Sequence, residues 1–395
     1  GKAVASQATI RGFESHHPLF LFDDYIFFLI LHFLNMISNH DNENLNKVPI
    51  AQALAAAFLF ACSTPLSKIL LGDIDPIPLA AFLYLGSGLG AFLLRWVMKA
   101  RQPQQPSEAR LSRSDFPWLM GAIFFGGVLA PIALLFGLRN TPAATASLLL
   151  NFEGVATTLI AAMIFKEAIG KRVALSVGLI TLASIILSFG GGEWGLSAGA
   201  ALILLATVSW GLDNNFTRNI SERDPLQIVM MKGFGAGIFS LMLTFALGEP
   251  LPDLSSMLMA GALGAVSYGL SIALIILAMR NLGSARAYGW FGTAPFIAML
   301  FSLAIFREPP MSTLWIALPF MLAGAWLMAT EHHSHHHVHA LIIHEHAHTH
   351  PDPHHTHVHE GLDPTQRITH SHPHEHAYLE HEHEHTPDIH HRHAH

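Results

Sequence analysis

Three ionisable residues stand where this chain can least tolerate charge. Glu153, Asp213 and Lys232 each lie inside a long apolar run. A charged side chain at bilayer depth costs about 2.5–3.5 kcal/mol on insertion scales, so such groups mark proton relays, substrate paths or ion pairs. Glu153 falls near the middle of the run Ala143–Phe165. Asp213 and Lys232 fall in consecutive runs, toward the same membrane face, and are placed to pair. Two tasks fit these residues. Glu153 and Asp213 can couple proton movement to transport. Equally, Asp213 and Lys232 can be an ion pair tying two helices, and Glu153 a protonated, hydrogen-bonded side chain.

Around Asp213 the chain reads Ser209-Trp210, then Asp213-Asn214-Asn215, the most polar run in the apolar part. Adjacent polar groups cannot all face lipid cheaply, so part of this helix is expected to line a cavity. A counterpart in the first apolar run is Ser63-Thr64-Pro65. Proline removes a ladder hydrogen bond there and frees a carbonyl beside Thr64, or simply kinks the helix. Trp210, Asn214, Thr64 and Asn151 are therefore candidates for shaping a substrate site. Tyr268 and Ser271 add the aromatic and polar mixture that suits a small amphipathic ligand. Tyr288 and Trp290 lie close to a helix end and read better as interfacial anchors. Gly86, Gly88, Gly235 and Gly237 are expected to let helices approach closely.

A second chemistry lies at the C-terminus, where 25 of the 29 histidines fall between His332 and His395. The imidazoles alternate with other residues at His335, His337 and His339, at His344, His346, His348 and His350, at His372, His374 and His376, and at His381, His383 and His385. Glu345, Glu375, Glu382 and Glu384 are interleaved. Clustered neutral imidazole with carboxylate binds borderline divalent ions, so Zn, Ni or Co is the expected metal. The run is too polar to form a core and is expected to lack regular structure without metal.

The elements that position these residues follow from composition. Of 395 residues, 51% are hydrophobic and 12% are charged, against about 25% charged in soluble domains. That is a membrane protein's balance. A net charge of −7 gives no footing for nucleic acid. The single Cys62 excludes an internal disulfide framework and a cysteine-based metal cluster. No phosphate-binding GxxxxGK[S/T] loop occurs, which argues against ATP-driven pumping, and no nucleophile–base pair suggests an enzyme.

Ten apolar runs approach the roughly 20 residues that a spanning helix needs. They are Ile50–Leu71, Ile77–Met98, Phe116–Leu138, Ala143–Phe165, Val173–Phe189, Ala198–Phe216, Leu226–Leu247, Met257–Met279, Ala285–Phe306 and Thr313–Thr330. They are continuously apolar, unlike the alternating strands of a membrane barrel. If the chain before the first helix is cytoplasmic, 13 Lys and Arg near the short loops fall inside, and only Lys68, Arg139 and Arg307 fall outside. The positive-inside rule selects that orientation, with the histidine tail cytoplasmic.

The apolar part repeats. Asp75-Pro76 matches Asp224-Pro225, Arg139-Asn140 matches Arg280-Asn281, and Phe165-Lys166-Glu167 matches Phe306-Arg307-Glu308. Five helices per half put matched positions on opposite faces, the inverted repeat of many secondary transporters. Four segments result: an extension at 1–48, a first five-helix repeat at 49–189, a second at 190–330, and the tail at 331–395. In the extension, Tyr25–Ile37 is apolar but short for a span, and Met36 offers a natural start. This segment reads as an interfacial helix or a non-native addition.

Ten helices in two inverted halves resemble the drug/metabolite transporter superfamily, EamA type. The likeness is carried by the Phe-Lys-Glu and Phe-Arg-Glu motifs, by Arg139-Asn140-Thr141-Pro142-Ala143 and Arg280-Asn281-Leu282-Gly283-Ser284-Ala285, and by Trp210-Gly211. It covers about Ile50 to Thr330. The resemblance implies a secondary transporter of a bacterial inner membrane, acting as monomer or homodimer. It would export a small metabolite, amino-acid-like, drug-like or metal-linked, by alternating access; the coupling ion stays open, with protons the candidate that Glu153 and Asp213 offer. The tail lies outside the family pattern and keeps two other readings open: a divalent-cation exporter, and a membrane-anchored metal buffer or sensor. Within the apolar part no histidine cluster supports the first of these.

Overall fold

The apolar runs fold as helices, because in hydrocarbon every backbone N–H and C=O must be paired within its own segment. A computed structural model of the chain describes residues 47–101, 109–165, 170–188, 197–220, 223–282, 290–307 and 312–329, with four strands in the tail. The first half holds α1 (Lys47–Ala61), α2 (Ser63–Leu70), α3 (Pro76–Arg101), α4 (Phe116–Ala122), α5 (Ala130–Arg139), α6 (Ala143–Leu149), α7 (Phe152–Phe165) and α8 (Lys171–Ser188). The second holds α9 (Ala198–Arg218), α10 (Pro225–Leu247), α11 (Leu254–Gly264), α12 (Ser271–Leu282), α13 (Ala294–Phe306) and α14 (Ser312–Ala329). Tyr25–Ile37 and the Lys166, Glu167, Glu308 and Tyr288 positions lie outside the described residues.

Among the described residues six helical stretches are long and apolar enough to cross a bilayer: Val48–Leu70, Pro76–Ala100, Arg113–Arg139, Ala143–Ile164, Pro225–Leu247 and Leu254–Ala278. The other four expected spans are also helical, as α8, α9, α13 and α14. The chain is a multi-pass membrane protein with an all-helical body.

Three spans depart from the continuous helices expected of them. The first is interrupted at Cys62, between α1 and α2. Pro65 falls in the first turn of α2, and the carbonyl it deprives of a donor is that of Ala61, four residues back, not one beside Thr64. The fourth span breaks at Leu150-Asn151, between α6 and α7. In the ninth, a turn at Gly292-Thr293 precedes α13. The last two breaks stand at matched positions of the two halves. So do two π-helical segments, Ile123–Leu129 between α4 and α5, and Ala265–Leu270 between α11 and α12. The inverted repeat is thus written into irregularities as well as into helices. Interruptions at corresponding positions are the best pointer to a transporter's binding site, and π segments gather at functional sites.

The halves interlock. The second helix of one packs on that of the other (α3 on α10), and the fifth on the fifth (α8 on α14). The sixth span, α9, lies against α5 and α7 of the first half. In return α1 packs on the second half: Ser267 and Ser271 donate to the Leu59 and Ala56 carbonyls, and Phe58 meets Phe301 edge-on at 5.4 Å. Glycine lets the paired helices close. A Cβ at Gly86 would strike the Gly261 backbone, and one at Gly88 would come 2.8 Å from Phe234 N.

Ion pairs fasten the helix ends. On one face Arg95 pairs with Asp224, and Arg223 Nε lies 2.9 Å from Asp115 Oδ2, each pair joining the two halves. On the other face Arg139 pairs with Asp75 at 2.5 Å, and Lys68 donates to the Leu138 and Thr141 carbonyls.

In the tail the backbone runs as strands β1 (His333–His339), β2 (Ile342–His350), β3 (Ile368–His376) and β4 (Leu379–His385), with β1 antiparallel to β4 and β2 to β3. Composition speaks only to core formation, whereas His alternating with another residue is a period-two pattern, which is the strand pattern. All thirteen candidate ligands fall on these strands, and their register sets His335 opposite His383 and His344 opposite His374. Their side chains lie outside the described residues.

Candidate functional site

Glu153 stands in the first turn of α7, just past the break in the fourth span. Its Oε1 accepts from Asn214 Nδ2 at 2.8 Å, and the same amide donates to Thr157 Oγ1 at 3.1 Å. Asn151, at the break itself, donates back to the Leu148 carbonyl at 3.2 Å and so holds the end of α6. Thr157 follows Glu153 by four residues and therefore shares its helix face.

One residue before Asn214, the buried Asp213 carboxylate takes both its oxygens to Lys232 Nζ, at 2.6 and 2.7 Å. Thr217, one turn further along α9, donates to Asp213 Oδ1 at 2.9 Å. The charge pair is thereby saturated with donors, as a buried pair must be to persist. Asn214 and its neighbour Asp213 thus bring the Glu153 carboxyl and the Asp213–Lys232 pair onto adjacent residues of α9. The three groups form one electrostatic unit with two carboxylates and one ammonium.

The π segment Ile123–Leu129 supplies the floor of this unit. A π turn shifts the register of backbone bonding, and the Gly126 carbonyl here accepts from Tyr84 OH at 2.6 Å and from Trp210 Nε1 at 3.0 Å. Asp213 packs directly over Gly126, so a methyl at that position would overlap its carboxylate. Gly126→Ala is therefore expected to displace Asp213 from Lys232 and abolish transport, while Gly178→Ala, which meets nothing within 4 Å, is neutral. Uptake by vesicles carrying matched amounts of each variant checks this, and an active Gly126→Ala protein refutes the tight floor.

Around the second π segment the described residues are aromatic and neutral. Tyr268 is buried in the other π segment and stacks near Phe60 at 5.8 Å and Tyr84 at 5.5 Å, and Phe60 meets Phe291 at 5.3 Å. Thr64 is buried beside Ser63, and among the described residues no hydrogen bond joins it to Glu153 or Asp213. The structure thus gathers Glu153, Asp213, Lys232, Asn214 and Trp210 in one place, sets Asn151 at its edge, and puts Thr64 and Tyr268 on an aromatic side linked through Tyr84. Trp290 is exposed.

Sequence reasoning missed Tyr84, Thr157, Thr217 and Gly126. Thr157 and Thr217 were open to it, since each lies four residues after a flagged carboxylate. Tyr84 and Gly126 were not, because their role depends on a carbonyl turned by a π segment.

Two stretches of the chain, 48–189 and 197–330, each match the EamA-like transporter family. An uncharacterized transporter of Methanothermobacter thermautotrophicus is 29% identical over 289 residues, covering 70% of this chain and 84% of that one. The uncharacterized inner membrane transporter YedA of Escherichia coli is 25% identical over 285 residues, covering 69% and 87%. A solved crystal structure sharing 18% of the sequence superposes with a TM-score of 0.52 over 70% of this chain and 95% of its own, a likeness of fold.

Proposed function

The chain belongs to the EamA-like transporter family, and we propose that it exports a small amphipathic metabolite, amino-acid-like or drug-like, in exchange for protons. Glu153 is the coupling carboxylate. The observation that carries this reading is the bond from Asn214 to Glu153 at the helix break, beside the Asp213–Lys232 pair. A broken helix offers a ligand its free backbone ends where continuous helix offers none. Next to that break stand one side with charge and one with aromatic rings, which suits a ligand with a polar head and an apolar body. Protonation of Glu153 would remove one negative charge from the unit and weaken its hold on Asn214, freeing α7 to move against α9 during alternating access. By the distribution of Lys and Arg, the body's two ends and the tail face the cytoplasm of a cell whose inner membrane holds the protein. Comparing metabolites in the medium of cells with and without the protein tests the export reading. A compound that accumulates outside only when the protein is present identifies the cargo, and no difference across the profile counts against export.

The tail supports metal control of this transporter. Zn, Ni or Co would bind its histidines as neutral imidazoles, so affinity falls as pH drops through the ordinary histidine range near 6.5. Removing residues 331–395 is expected to change how flux responds to added zinc or nickel more than it changes maximal flux. Metal titration of flux in vesicles, with full-length and shortened protein, measures this. Identical responses would leave the tail a passive store. Loss of all cellular phenotype with flux intact would favour a metal buffer or sensor.

A further inference from the structure

One cavity lies away from the charged site. It has a volume of about 470 Å³ and is walled by Leu111, Arg113, Phe116, Leu119, Gln227 and Met231, where the start of α4 meets the first turns of α10. The volume is within the range of small-ligand sites. The lining is mostly apolar, with Arg113 its one charged member and Ser112 and Gln227 its neutral polar ones. Among the described residues the nearby acids are engaged elsewhere: Asp115 binds Arg223 and Ser112, and Asp224 binds Arg95 and caps α10. Arg113 and its neighbour Arg110 are exposed, and among the described residues neither has an ion-pair partner. Phe116 and Trp118 are also exposed, 56% and 37%. Aromatic residues exposed at helix starts mark the level where headgroups meet hydrocarbon.

The cavity thus sets exposed arginine beside an apolar wall that opens at headgroup depth. We propose that this cavity holds an anionic phospholipid, its phosphate on Arg113 and Arg110 and its glycerol and first acyl carbons along Phe116, Leu119 and Met231. A free phosphate would satisfy the arginines but leave the apolar wall wet. The lipid also braces the transporter, because its site joins residues 111–119 of the first half to α10 of the second, beside the Arg223–Asp115 and Arg95–Asp224 ties. Basic pockets between membrane helices hold acidic headgroups in this manner, each Lys or Arg near the surface contributing about a fivefold gain in affinity.

Native mass spectrometry of the full-length protein, released from nanodiscs of mixed phosphatidylglycerol and phosphatidylcholine, tests the proposal without reference to cargo or orientation. The expected result is one phosphatidylglycerol retained in preference to phosphatidylcholine. Arg113→Ala and Arg110→Ala should each weaken retention about fivefold, whereas Arg113→Lys and the opposite-face Arg139→Ala should not. Equal retention of the two lipids, or preference unchanged in the Arg110→Ala, Arg113→Ala double variant, overturns it. Displacement of the lipid by millimolar inorganic phosphate would also overturn it, assigning the rim to a free anion. Failure here leaves the export reading untouched, since that rests on Glu153 and is read by flux.

Discussion

Replacing Glu153 by glutamine is expected to abolish pH-driven flux while substrate binding survives. The amide keeps an oxygen where Oε1 now accepts from Asn214 at 2.8 Å, so the contact between α7 and α9 persists. It persists as a neutral bond, about 1 kcal/mol weaker than a charge-assisted one, and expression should fall only slightly. What the amide cannot do is take up or release a proton. Flux driven by substrate gradients alone should therefore continue, and flux driven by a pH step should not. Glu153→Asp provides the complementary test. It keeps a titratable carboxyl but withdraws it by one methylene from Asn214, so pH-driven flux should be weakened and not lost. Proteoliposomes with an imposed pH gradient measure both variants. If Glu153→Gln retains the wild-type pH dependence, Glu153 is only a hydrogen-bonding group at the helix break, and the coupling proton travels elsewhere.

Much of this arrangement was legible because apolar runs and charge asymmetry are properties of sequence. Ala198–Phe216 was expected as a span and α9 ends two residues later. The pairing of Asp213 with Lys232 also followed from chemistry, since neither charge could be left alone in hydrocarbon. The breaks and π segments were harder. Leu150-Asn151 sits in a sequence with no proline or glycine until Gly154, so nothing local announces that the helix stops. The matching turn was more open: Gly292-Thr293-Ala294-Pro295 sets proline within the first helical turn after a turn residue, a start signal. Reading that signal, and carrying it back through the repeat, would have placed the break beside Glu153. The carbonyl of Gly126 has no such route. Its bonds to Tyr84 and Trp210 join three helices, and only the packed bundle brings those together.

The second large effect concerns the pair on α9 and α10. Asp213→Asn alone leaves the Lys232 ammonium without its carboxylate in a low dielectric, and Lys232→Met alone leaves the carboxylate without its counter-ion. Either change is expected to cost about 3–5 kcal/mol and to reduce the amount of folded protein in the membrane. The double change Asp213→Asn with Lys232→Met removes both charges, leaves Thr217 and Gly126 with a side chain of the same shape, and should restore expression. It should not restore transport. The carboxylate and the ammonium are opposite charges beside the residue that holds Glu153, and with both gone Glu153 would load and release its proton in a field that no longer changes as α9 and α10 move. Binding of substrate to purified double variant, set beside its flux in vesicles, separates the two tasks. Normal flux at normal expression would show that the pair only ties two helices together, and the coupling reading would then rest on Glu153 alone.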